Sequence, residues 1–75
     1  MISKVFKTKK GELILKKEFS KSYQDHSIVY ICSSNGKSFK IEVPFRSLEW
    51  RDDHFNCVDE SRAGLIIDGF NEARE

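Results

Sequence analysis

His26, Cys32, His54 and Cys57 are the side chains in this sequence that could hold a metal ion, and together they make one formal tetrahedral zinc set. Structural zinc sites pair their ligands on tight knuckles, and here His26 and Cys32 fall on an apolar stretch while His54 and Cys57 lie far downstream. The pattern predicts a reduced core cysteine, ordinary histidines and no metal. Asp52-Asp53-His54 sets two carboxylates beside an imidazole, the groups of general acid and base work. Neighbouring side chains point apart, however, and no nucleophile or oxyanion donor accompanies them, so the segment reads as a solvated acidic loop. Gly11, Gly36, Gly64 and Gly69 make no phosphate-cradling pattern. The expectation is a protein that is not an enzyme and uses no cofactor.

The chemistry that remains is recognition. Glu49-Trp50-Arg51-Asp52-Asp53-His54-Phe55 concentrates the single tryptophan with an arginine and a phenylalanine, the types that anchor protein interfaces. Trp50, Arg51 and Phe55 are therefore the expected anchors on a protein partner, with Asp52, Asp53, Asp68 and Glu72 steering association. The competing reading folds Trp50 and Phe55 inward to close one end of the core. A second function class uses the lysines: Lys4, Lys9, Lys10, Lys16, Lys17 and Lys21 would track a nucleic-acid backbone while Tyr23 stacks on a base. The arginines suited to bidentate phosphate contact all lie elsewhere, and lysines on outer strands also discourage edge-to-edge aggregation.

These residues must be positioned by local structure. Asn35-Gly36 is the signature of a two-residue type I′ turn. Closed by Ser34 and Lys37, it pairs Cys32 with Phe39, Tyr30 with Ile41, Ile28 with Val43 and His26 with Phe45, all on one face. Ile31 with Lys40 and Val29 with Glu42 take the other face, and Pro44 marks a strand end or an edge. Upstream, Ile2 to Thr8 and Glu12 to Phe19 form a second strand pair around Lys9-Lys10-Gly11, with Leu13, Leu15 and Phe19 on one face. Two registers compete there. A two-residue loop sets Phe6 opposite Leu15 and Lys4 opposite Lys17, an unfavourable like-charge pair; one more loop residue brings Val5 opposite Leu15 instead.

Residues 46–58 read as a connector with at most one helical turn. From 59 to 75, Ala63, Ile66, Ile67 and Phe70 follow the i, i+3, i+4, i+7 spacing of an amphipathic helix that Asp59, Glu60 and Ser61 can cap. Gly64 and Gly69 oppose a helix by about 1 kcal/mol each, which leaves a fifth strand through Leu65-Ile66-Ile67 as the alternative. The expected fold is one α+β domain over residues 1–75: a four-stranded antiparallel sheet of two hairpins (1–45), with the C-terminal helix packed on its apolar face. A small five-stranded β-barrel is the alternative.

Composition bounds these readings. Seventy-five residues, 39% hydrophobic and 33% charged, suit a single globular domain with too little chain for a second core. A core of this size is marginal, so pairing into a homodimer would add stability. The longest apolar run, Ile28 to Cys32, is far short of a membrane span. Lysines at positions 4 and 7 stand where a secretory signal would place apolar residues, so a cytoplasmic protein with reduced thiols is expected. The net charge of +1 conceals a dipole. Residues 1–40 carry nine lysines against Glu12, Glu18 and Asp25, a balance of +6, and residues 41–75 carry four arginines against nine acids, a balance of −5. Abundant lysine, isoleucine and serine with only Ala63 and Ala73 as alanines suit an AT-rich bacterial or bacteriophage genome. A regulator or inhibitor that occupies a protein partner, in a bacterium or a phage-infected cell, is the leading expectation, with the nucleic-acid module as its alternative.

Overall fold

In the computed structural model, which describes residues 2–73, four strands form one antiparallel sheet in the order β1-β2-β3-β4, followed by two helices. The strands are β1 (Ser3–Thr8), β2 (Gly11–Ser20), β3 (Asp25–Ser34) and β4 (Lys37–Phe45), and the helices are α1 (Leu48–Cys57) and α2 (Glu60–Ala73). The fold is α+β, and the sheet is open rather than closed into a barrel.

The β3–β4 hairpin has the register that Asn35-Gly36 dictates. Both turn residues take positive φ, 55° and 74°, and the pairs Cys32 with Phe39, Tyr30 with Ile41, Ile28 with Val43 and His26 with Phe45 all form. In the β1–β2 hairpin the structure differs from both expected registers. The loop is Lys9-Lys10 alone, Gly11 is already in β2 opposite Thr8, and Phe6 meets Leu13 while Lys4 meets Leu15. Two local causes fix this arrangement. The Thr8 hydroxyl accepts from the Lys10 and Gly11 amides, at 3.1 and 3.2 Å, and so clasps the turn. Gly11 has φ of 151°, and a Cβ there would stand 2.5 Å from the Ser33 carbonyl oxygen, so only glycine lets β2 approach β3 this closely. The shift from the two-residue alternative is two positions, which preserves the face of every side chain and separates Lys4 from Lys17.

One face of the sheet carries Phe6, Leu13, Leu15, Ile28, Tyr30 and Cys32, and both helices lie on it. Phe55 from α1, Val58 from the junction, and Ala63 and Ile67 from α2 complete the buried core. Residues 46–58, expected as a connector, are mostly the helix α1. Ser47 caps it with extended backbone, its hydroxyl accepting from the Trp50 amide at 3.0 Å. The stretch concealed itself because Phe55 is the only fully buried residue of α1, which leaves no apolar periodicity to read. In α2, Asp59 accepts from the Arg62 amide at 2.9 Å, as its position before the apolar repeat suggests. Residues 65–67 are helical, not a fifth strand; Cβ atoms at Gly64 and Gly69 would meet open space, so neither glycine is required by packing. Residues 74 and 75, within the expected helix, lie outside the described residues.

Candidate functional site

Phe55 and Trp50 occupy opposite sides of α1. Phe55 is fully buried and is core rather than an interface anchor, which corrects half of the expectation drawn from its neighbourhood. Its ring sits between two ammonium groups, with Lys4 Nζ 4.9 Å and Lys17 Nζ 4.8 Å from the centroid. Lys4 also donates to the carbonyls of Phe55 (2.8 Å) and Val58 (3.3 Å), placing a cation where the end of α1 concentrates negative partial charge. Trp50, by contrast, is 66% exposed in the first turn of the helix, where its amide donates to the capping Ser47 hydroxyl. Asp53, one turn on, shares its surface, and Glu49 adjoins it.

Arg51 and Asp52 turn inward. The Arg51 guanidinium donates to the Glu18 carbonyl at 3.1 Å and to the Asp52 carboxylate at 3.2 Å, while Lys17 reaches the same carboxylate at 3.3 Å. Partial burial pushes the Asp52 carboxyl up, but hydrogen bonds and charge from Arg51 and Lys17 outweigh it and hold the group below its ordinary value. Both side chains thus brace α1 against β2. On α2, Asp68 pairs with Lys10, and Glu72 is exposed.

The lysines are scattered. Lys4 and Lys17 lie on the helix-covered face, Lys10 is paired with Asp68, Lys16 is on the opposite face, and Lys9 and Lys21 sit in turns at opposite ends of β2. Tyr23 is exposed in the β2–β3 turn. The structure gathers no continuous strip from the seven residues considered for nucleic acid.

The metal set is likewise dispersed. Cys32 is buried in the core and Cys57 is exposed, neither forms a disulfide, and among the described residues no three of His, Cys, Asp and Glu cluster to hold a metal ion. His54 does have a partner: its Nε2 lies 2.7 Å from the Tyr30 hydroxyl, and burial pushes that phenol's pKa up, so the hydroxyl keeps its proton.

The Tyr30–His54 pair floors a groove that sequence reasoning missed. The helices pack mainly over β1 to β3 and leave the inner face of β4 largely uncovered. A cavity of about 360 Å³ opens there, between Ile41 and Val43 of β4 and Leu65, Ile66 and Phe70 of α2, with Arg62 at its rim. Ile41 and Leu65 are exposed, at 45% and 69%, despite their size. Phe39 of β4 stacks on Phe70, which lines the groove, with centroids 6.4 Å apart and planes 11° from parallel. The signal for it was the run of apolar inward residues in β4, which a single 14-residue helix cannot cover together with three other strands.

The described residues contain no helix long and apolar enough to cross a membrane. No protein family, curated protein or solved structure matches the chain.

Proposed function

We propose that this chain is a small, non-enzymatic binding protein that regulates or inhibits a protein partner by occupying its surface, with the outer face of α1 as the contact. Trp50 is the anchor, and Glu49 and Asp53 form an acidic rim that favours a partner with an apolar pocket edged by basic residues. The observation that carries this reading is the exposure of Trp50 on a helix that Ser47 caps and that Lys4, Arg51 and Phe55 fasten to the sheet. An aromatic side chain presented on a fixed backbone loses little conformational entropy on docking.

The test is capture from a bacterial lysate, with and without nuclease, by the native chain and by Trp50→Ala. A discrete protein retained by the native chain after nuclease treatment, lost with Trp50→Ala while the circular dichroism spectrum is unchanged, is the expected result. Capture of nucleic acid alone, weakening by orders of magnitude as salt rises, would replace this reading with the lysine-based one.

A further inference from the structure

The outer edge of β4 and the groove beside it form a self-complementary surface, and we infer that a second copy of this chain covers it, extending the sheet through antiparallel β4–β4 pairing about a twofold axis at Ile41. This surface is separate from the Trp50 face.

The argument begins with which backbone groups are unused. Ser34 and Lys37 close a two-residue turn as a hydrogen-bonded pair, so Phe39, Ile41 and Val43 spend their amides and carbonyls on β3. The N–H and C=O groups of Ser38, Lys40 and Glu42 therefore point away from the sheet. Pro44, which has no N–H to offer, ends this donor row. An unpaired edge of this kind is a template for another strand.

The side chains select the occupant. With Ile41 of each copy on the axis, Phe39 of one copy faces Val43 of the other on the groove side, and so do the reciprocal pair. Aromatic and β-branched residues directly opposite are favoured cross-strand partners. On the other face Lys40 of one copy meets Glu42 of the other, again twice, so the like-charge contacts that would reject a second copy are absent. Within one copy the Glu42 carboxylate accepts from Ser27 of β3 at 3.4 Å and Ser20 of β2 at 2.6 Å, so meeting the second copy's Lys40 requires it to turn outward from these serines. Pairing in this register brings the two grooves together across the axis and withdraws Ile41 from water. Leu65, on the rim of each groove, borders the joined cavity. The opposite edge lacks this match: a twofold at Val5 of β1 sets Lys4 against Phe6 and Lys7 against Ser3, and Lys4 is already bonded to α1.

Light scattering after size exclusion, over a low to high micromolar series, is expected to show growth toward twice the monomer mass of 8.7 kDa. Ile41→Lys sets two ammonium groups against each other on the axis, and because the position is exposed the fold survives; the variant is expected to remain monomeric with an unchanged circular dichroism spectrum. Register is tested by Ile41→Cys in a Cys57→Ser background. Only a residue on the axis faces its own copy, at about 4.5 Å between α-carbons, so diamide should link this variant and leave Lys40→Cys unlinked. A chain monomeric throughout the series overturns the inference, as does a dimer that survives Ile41→Lys. A monomer whose groove takes up an apolar dye also overturns it and assigns the groove to a small apolar ligand.

Discussion

The two edges of the sheet are built in opposite ways. At the β1 edge the inward residues are Lys4 and Phe6, both drawn under the helices, with Lys4 bonded to two carbonyls at the end of α1 and Lys10 of the following turn tied to Asp68 of α2. At the β4 edge the inward residues Phe39, Ile41 and Val43 are apolar, and no helix lies squarely over them. A chain of this size has helix enough to cover about three strands. It has placed that cover over the edge where lysines can be recruited as fasteners and has left bare the edge whose side chains can pack against another surface.

The contrast predicts effects of graded size. The largest belongs to Phe55→Ala, which deletes the ring between Lys4 and Lys17 and empties the centre of the core; a loss of about 3–5 kcal/mol in chemical denaturation is expected, enough to threaten folding. A loss below about 1 kcal/mol would mean that α1 is not the clamp on the β1 side. Lys4→Met keeps the apolar stem but removes the ammonium, and should cost about 1.5–3 kcal/mol. Hydrogen exchange sharpens this second case: β1 amides should open faster while those between β3 and β4 stay protected, and a uniform rise across the sheet would contradict local fastening.

The smallest effect is a pH dependence. Asp52 is held below its ordinary value of 3.8, so its contribution is fully present above that value and is lost as pH falls through the lower folded-state value. Asp52→Asn should therefore lower stability slightly at neutral pH, with the difference from the native chain shrinking as pH falls below 3.8. A difference of equal size at both pH values would assign Asp52 a role other than its ion pairs.

The same asymmetry explains what could be read from the residues alone. Asn35-Gly36 admits one turn geometry, and so the whole β3–β4 register followed from it. Lys9-Lys10-Gly11 contains a glycine too, but its reason is the approach of Ser33 on the next strand, a contact that no local pattern announces; the two registers open to the residues turned either Phe6 or Val5 inward, so neither the register of β1 nor its inner face was legible. Helix α2 showed itself through Ala63, Ile66, Ile67 and Phe70, whereas α1 has one buried residue and a cap without the usual acidic partner three positions on. Trp50 and Phe55 could be named as a pair but not told apart, since which of them faces the sheet depends on a helix that was invisible. The groove was half legible: the apolar inward run of β4 was there to be read, but not that two helices fall short of the fourth strand.

The order β1-β2-β3-β4 has a kinetic consequence. Every strand pairs with its neighbour in sequence through a short turn, so no long loop must close before the sheet can form. A β-rich chain with this connectivity should fold well ahead of sheets of similar size that pair distant segments, nucleating at the β3–β4 turn and finishing when Phe55 docks. The last edge to find its cover is then also the one that is complete earliest as a strand.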